Sequence, residues 1–323
     1  MSTAYPTVHH VAIKGNFTPE QAIFAGKPQA IDADIVIPVY NEEVELGSSI
    51  MILVEQLKTL ELLPDPITAQ AVIADNASSD KTWNLACSLT EAFPTYVRAI
   101  RIPEKGRGRA LKTAWLSSQA RALAYMDVDL STDILQIPEL LRPILDGEVD
   151  LSFGSRLMAQ SQVERCPKRE FISRTYNCML QNYLGVSFHD AQCGFKALSA
   201  EAAHALLPCV EDNEWFFDTE LLVLGERMGI AMNEFPVRWK EDPSSTVHII
   251  DTVRKDLAGM RRLKAEERQG GKTPPKGSAH REQHLQNDAH KQLRSQKENA
   301  ALNCGSEQSI SHSSTTTKAA ECR

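Results

Sequence analysis

From Asp34 onward the chain alternates short apolar runs with amphipathic stretches, and that alternation predicts its architecture. The runs Ile35–Val39, Ala71–Ala74, Val97–Ile100, Ala122–Met126 and Leu151–Phe153 have the length of buried strands. Between them, Val44–Leu60, Thr82–Ala92 and Gly108–Gln119 place apolar residues at helical spacing with polar residues opposite. Repetition of strand and helix predicts an α/β fold, a mostly parallel, Rossmann-like sheet with helices on both faces. After Arg156 the alternation loosens. Helices are expected near Arg169–Tyr183, Ala200–Leu207, Phe217–Met228 and Ile250–Leu263, forming a second wall around any site. Residues 1–32 show no sustained period and read as a loosely ordered lead-in. Residues 264–323 are poor in apolar side chains and rich in Gly, Pro, Ser, Thr, Gln and His, so they bury too little surface to offset ordering entropy and read as a disordered polar tail. A single globular domain is therefore expected over 33–263.

Composition narrows the classes. With 323 residues and 42% hydrophobic content, the chain can build one substantial core and still carry tails. A formal net charge of −7 argues against a general nucleic-acid binder, which needs a basic face. The seven cysteines are odd in number and include no CxxC pair, and no secretory leader precedes them. Reduced thiols in a cytoplasmic protein are the reading, and a zinc site is not indicated. No apolar run approaches the roughly 18 residues of a membrane span, so any membrane contact would be peripheral. The mildly basic tail or an amphipathic Ile250–Leu263 are its candidates, although a solvated tail is the simpler account. Oligomeric state is not legible.

In an open α/β sheet, ligands bind beyond the carboxyl ends of the strands, so the residues that follow each apolar run belong together. They are "PVYNEE" with Pro38, Tyr40, Asn41 and Glu42; "DNASSDKT" with Asp75 and Asn76; "EKGRGRA" with Lys105, Arg107 and Arg109; "DVDLSTD" with Asp127, Asp129 and Asp133; and "GSR" with Arg156. Asn41, Ser79 and Asp80 suit helix entries as well as a ligand. Asp75 ends a wholly apolar strand, where a carboxylate has no packing role, and it can accept from the N–H edge of a pyrimidine or guanine base. Asp127 and Asp129 are two apart and share a face of their strand end. Hard oxygen ligands so placed suit Mg²⁺ or Mn²⁺, which completes its shell with waters and substrate phosphates. Asp133 fits the start of the next helix better. Lys105, Arg107, Arg109, Arg156, Lys168, Arg169 and Arg174 add groups that match phosphate oxygens, though surface solvation accounts for about half of them. Neither GxxxxGK[ST] nor a GxGxxG after the first strand occurs, so a P-loop NTPase and a dinucleotide enzyme are not indicated.

The succession "VIPVYNEE", "IADNASSDKT", "KGRGRAL", "YMDVDLSTD", "FGSR", "DAQCGFKA", "WFFDTELL" and "VRWKEDPSSTV" resembles the family 2 glycosyltransferases of GT-A fold, in the branch of polyprenyl- and dolichyl-phosphate mannose and glucose synthases. The resemblance spans roughly 33–263. It implies metal-dependent, inverting transfer of a hexose from a nucleotide sugar, GDP-mannose or UDP-glucose, to a polyprenyl phosphate at the cytoplasmic face of a membrane. It implies that Pro38, Tyr40 and Glu42 line the nucleoside pocket with Asn76, Lys105 and Arg107 on the donor side, that Asp75 binds the base, and that Asp127 and Asp129 hold the metal. Relatives often place a further ligand, commonly Gln, two residues beyond the second acid; here that residue is Ser131. Arg156, Lys168, Arg169 and Arg174 match positions expected at the acceptor phosphate. The resemblance places Asp190, Gln192 and Lys196 in a sugar-binding or acceptor-side loop, and Ser245 in a loop that closes over the site.

A divalent cation stabilises the negative charge that develops on a departing nucleoside diphosphate. An acceptor phosphate, with a second pKa near ~6, is already largely dianionic at neutral pH and needs no general base. A saccharide hydroxyl would need one, and Asp190 or Asp218 is the candidate. Asp218 lies with Glu220 near a helix start, where the helix dipole favours acids, and Trp215-Phe216-Phe217 suits a core, so a structural role is as well supported as a functional one. The rival readings are a family 2 transferase acting on a saccharide hydroxyl and a non-catalytic nucleotide-sugar-binding protein.

Overall fold

The computed structural model describes residues 22–26, 29–241 and 249–268. Five strands appear where the apolar runs predict them: β2 (Ala33–Val39), β3 (Ala69–Asn76), β4 (Val97–Ile102), β5 (Ala122–Met126) and β6 (Leu151–Ser155). Ahead of them β1 (Ile23–Ala25) pairs antiparallel with β4, so part of the segment read as a loose lead-in is an edge strand; three residues are too few to show a period. The expected helices form as α1 (Leu46–Leu60), α2 (Thr82–Ala92), α3 (Arg107–Leu116), α5 (Pro167–Leu184), α6 (Ala200–Leu206), α7 (Phe217–Met228) and α8 (Ile249–Arg268), and α4 (Ile137–Leu145) follows the Asp133 turn.

The eight-stranded sheet has the order β1-β4-β3-β2-β5-β8-β6-β9, where β8 is Phe195–Ser199 and β9 is Met232–Pro236. β8 runs antiparallel between β5 and β6, which makes a mixed sheet of an otherwise mostly parallel one. A two-stranded parallel sheet joins β7 (Gln162–Glu164) to β10 (Arg238–Lys240).

Alternation along the strands feeds two cores. Ile35, Ile37 and Val39 of β2 pack with α1, α2 and α4 on one face, while Val36 packs with α3 and α5–α8 on the other. Near the amino ends of the strands, Asp34 is fully buried and accepts from Arg98 (2.7 Å), Gln70 (2.7 Å) and Ser118 (2.6 Å). A buried charge is tolerated only with such partners. Helix α8 buries Met260 and Leu263 and continues past the expected boundary at 263, held by Arg227 on the Leu263 carbonyl (3.1 Å) and on Glu267 (3.1 Å). Met260 and Leu263 thus spend part of the helix's apolar side on the core. Among the described residues, no helix is long and apolar enough to cross a membrane.

Candidate active site

The chain runs from β2 through β3 to β4 in one direction, then restarts at β5 on the other side of β2. This reversal opens a crevice beyond the carboxyl ends of β2 and β5. Their shared register stops at Val36↔Tyr125, and Pro38, which has no N–H to donate, lies past that end.

On the β2–β4 side, polar residues tie loops to one another. Asn41, with φ of +56°, accepts through Oδ1 from the Ser79 N–H at 2.8 Å, while its own N–H donates to Ser78 Oγ at 2.9 Å. The Glu42 N–H donates to Thr82 Oγ1 at 2.8 Å. Asn76 donates to the Val39 carbonyl at 2.7 Å and accepts from the Gly106 N–H at 3.2 Å, so both ends of its amide position backbone. Asp75 is fully buried; one oxygen accepts from the Ser78 N–H at 3.0 Å, and the other has no hydrogen-bond donor and lies 3.4 Å from Arg101 Nε. The Lys105 ammonium stands 3.6 Å from the centroid of the Tyr40 ring.

The acids follow β5. Asp127 is 44% exposed and accepts from Arg107 at 2.8 Å. Gly194 packs against its other oxygen so closely that a Cβ there would fall 1.8 Å from Asp127 Oδ2. Glycine is required at that position. Asp129 is exposed and accepts from the Ser131 N–H at 2.9 Å. The Ser131 hydroxyl is buried without a partner, and its carbonyl accepts from the Lys240 N–H at 2.8 Å. No cluster of three or more His, Cys, Asp or Glu side chains capable of holding a metal occurs among the described residues. Two adjacent carboxylates at the mouth of a crevice suit a hard divalent ion that completes its shell with phosphate and water, and do not suit an all-protein cage. Asp133 caps the turn into α4 by accepting from the Leu135 N–H at 2.9 Å, as its sequence position predicts.

Behind Asp127 lies a buried network that sequence spacing does not reveal. Arg107 joins Asp127 to Asp218, and Asp218 also accepts from the Tyr125 hydroxyl and lies 3.2 Å from the Lys196 ammonium. Burial alone would raise the Asp218 pKa, but Arg107 and Lys196 overcome it and hold the carboxyl below its ordinary value. Burial alone would lower the Arg107 pKa, but Asp218, Tyr125 and Asp127 together overcome it and hold the guanidinium well above its ordinary value. Lys196, expected in a loop, is fully buried on β8.

On the far wall, Asp190 grips Arg156 with both oxygens, at 2.7 Å to Nε and 2.9 Å to Nη2, and accepts its backbone N–H at 3.0 Å. Against the opposing effect of burial, Arg156 takes the Asp190 pKa down to about 2. The carboxylate and the guanidinium are thus committed to each other in this structure. Arg169 pairs with Glu241, Arg174 with Glu170 at 2.6 Å, and Lys168 is exposed in the first turn of α5. Gln192 donates to Asp256 at 3.4 Å. Ser245, with the rest of its loop, lies outside the described residues. Tyr125, whose hydroxyl donates to Asp218, is a residue of this network that sequence reasoning passed over.

A crevice at a strand-order reversal, bordered by paired acids and arginines, defines an α/β protein of nucleotide-sugar transferase type. The sequence model of "Glycosyl transferase family 2" matches residues 34–207, and the chain belongs to that family. Glycosyltransferase AglD of Haloferax volcanii is 35% identical over 237 residues, which are 73% of this chain and 37% of that protein. The chain thus spans little more than a third of this relative. A dolichyl-phosphate beta-glucosyltransferase of Dictyostelium discoideum is 25% identical over 70% of this chain and 73% of its own. Among solved structures, glucosyl-3-phosphoglycerate synthase of Mycobacterium tuberculosis, in complex with uridine diphosphate, superposes with a TM-score of 0.54 at 18% identity, over 73% of this chain and 80% of that one, which shows the shared fold.

Proposed function

We propose that this chain transfers glucose from UDP-glucose to a polyprenyl phosphate, with inversion at the anomeric carbon and with Mg²⁺ or Mn²⁺ held by Asp127 and Asp129. The observation that carries the acceptor assignment is that both candidate general bases are consumed. Asp190 is locked to Arg156, and Asp218 to Arg107 and Lys196. A hydroxyl acceptor needs a base, whereas a phosphate oxygen, dianionic above its second pKa of roughly 6, attacks unaided. The hydroxyl-acceptor alternative is therefore disfavoured. Glucose is preferred to mannose because the matching relatives include dolichyl-phosphate beta-glucosyltransferases, and a solved protein of the same fold carries Mn²⁺ and uridine diphosphate.

Each wall then has a task. Tyr40, Glu42 and Asp75 border the nucleoside, and the Asp75 oxygen that lacks a hydrogen-bond donor accepts an N–H of uracil. Lys105 faces the diphosphate from its perch on Tyr40. Arg107 orients Asp127, so that Asp127 and Asp129 hold a metal that stabilises the leaving diphosphate as a Lewis acid. The α5 side receives the acceptor phosphate, with Lys168, Arg169 and Arg174 lending positive charge near its first turns. Catalysis is assigned to the domain predicted over 33–263, with the work done at the cytoplasmic face of a membrane where the acceptor lipid lies.

Purified full-length chain should be incubated with Mn²⁺ or Mg²⁺, a short polyprenyl phosphate and radiolabelled UDP-glucose or GDP-mannose. Organic-extractable label from UDP-glucose, abolished by chelation, is the expected result. Absence of lipid-linked product from either donor defeats the proposal, and metal-dependent donor binding without turnover supports the non-catalytic reading instead.

A further inference from the structure

Arg107 opens α3 between two glycines, and its guanidinium stands over the faces of two rings. Its central carbon lies 4.8 Å from the centroid of Tyr125, which is fully buried on β5, and 5.3 Å from that of Trp215, which is 48% exposed. The Arg107 side chain is itself 10% exposed and donates to Asp127 at 2.8 Å and to Asp218. Trp215 is the odd member of the run Trp215-Phe216-Phe217, since both phenylalanines are buried in the core. Its place is set by its backbone neighbours. The Gly108 N–H donates to the Glu214 carbonyl at 3.2 Å and the Arg109 N–H to the Asn213 carbonyl at 3.1 Å, which fastens the segment to the first turn of α3. Asp212 accepts from the Glu214 N–H at 2.7 Å and the Phe217 N–H at 3.0 Å, and Lys255 of α8 pairs with Glu214.

The two glycines make that approach possible. A Cβ at position 106 would fall 2.6 Å from the Asn213 carbonyl oxygen, and one at 108 would fall 2.7 Å from the Phe217 Cβ. Single exposed apolar residues are ordinary on a protein surface. This one is anchored against the arginine that serves an acid of the crevice. A ring face attracts a cation and keeps water from it, which strengthens the bonds that the cation makes. Two carboxylates compete for Arg107. Asp218 is buried and also has the Lys196 ammonium at 3.2 Å, whereas Asp127 is 44% exposed at the mouth of the crevice. An arginine has many rotamers, so a guanidinium without a second ring would lose its fixed position between the two acids.

We propose that Trp215 is a positioning residue for the metal-binding acid: its ring keeps the Arg107 guanidinium on Asp127, so that the carboxylate offers one fixed orientation to the divalent cation. Tyr125 does the same from within the core. In this role Trp215 acts through Arg107 and Asp127 and touches neither the cation nor the reacting atoms. The inference rests on the reading of Asp127 and Asp129 as metal ligands above, and it requires nothing of the acceptor.

Calorimetric titration of the full-length chain with UDP, with and without Mn²⁺, tests the role in Trp215→Ala and Trp215→Phe. Mn²⁺ should tighten UDP binding in the wild type. In Trp215→Ala that gain should shrink about 3- to 30-fold, the size of one cation–π contact, while metal-free UDP affinity stays within about twofold of wild type. Trp215→Phe, which keeps a ring face, should recover most of the gain. A merely structural residue would weaken UDP binding alike with and without metal. That result, an undiminished gain in Trp215→Ala, or a Phe variant as weak as the Ala one overturns the proposal. In the wild-type chain, the Arg107 Nε–H resonance should lie upfield of an ordinary arginine, shielded by the two ring faces, and should move when Mg²⁺ joins UDP. An ordinary position, or no response to Mg²⁺, also overturns the proposal, and this measurement needs no variant. A wild-type chain without any metal-dependent gain defeats the metal reading and the inference with it. A gain that Trp215→Ala loses, in a chain that makes no lipid-linked product, sustains the positioning role while the proposed acceptor fails.

Discussion

The two walls of the crevice hold their polar residues by different means. On the β2–β4 wall, side chains bond mainly to backbone: Asn41 to Ser79, Thr82 to Glu42, and Asn76 to Val39 and Gly106. On the β8–β6 wall, charged side chains bond to one another: Asp190 with Arg156, Asp218 with Arg107 and Lys196, and Glu241 with Arg169. Backbone bracing shapes a pocket without assigning it a charge. Ion pairing cancels charge, so this wall fixes its geometry and much of its electrostatics together.

The largest break in this comparison should come at the rim the walls share. Asp129→Asn is expected to lower kcat about 10³-fold while leaving the thermal midpoint nearly unchanged, since the carboxylate is exposed and stabilises charge that appears only during transfer. Steady-state rates beside a melting curve check both halves of that statement. Next comes the ion-pair wall itself. Asp218→Asn leaves Arg107 and Lys196 short of a counter-charge in a buried setting, and denaturant unfolding should show a loss of about 3 kcal/mol.

Acidity separates two carboxylates of the same wall. Asp190 has a folded pKa of about 2 against an ordinary 3.8, so its contribution to stability is complete above pH 4 and fades as the pH falls toward 2. Asp256 is buried near Asp212 and pushed up to about 7, burial being the larger cause. Its folded form therefore binds the proton more tightly than the unfolded chain does, and stability should fall as pH rises from 4 to 7. Asp256→Asn should flatten that decline and be more stable than wild type by a few kcal/mol at pH 8, with little difference at pH 4. A variant less stable than wild type at pH 8 would contradict the assignment. The smallest effect is expected on the braced wall, where Lys105→Met removes a cation from the face of Tyr40 and should cost no more than about 1 kcal/mol of stability. Its consequence belongs in the donor KM.

Much of the β2–β5 half could be read along the chain, because each strand there is a continuous apolar run and each helix follows it directly. The second half could not. β8 carries Phe195-Lys196-Ala197-Leu198-Ser199, whose lysine breaks the apolar pattern, and that lysine is buried only because Asp218, far along the chain, lies beside it. Spacing placed Gln192 and Lys196 together in a loop, and tertiary pairing put one on Asp256 and the other inside the sheet.

Local order along the chain therefore determined the β-α succession, the acids at the end of β5, the cap at Asp133 and the family. These follow from periodicity and from adjacency of neighbouring residues. The partners of each charge were decided only by the fold. Whether Arg156, Asp190 or Asp218 is available for chemistry depends on contacts between residues tens of positions apart. Coulombic and desolvation energies depend on distance in space, which no reading of spacing along the chain supplies.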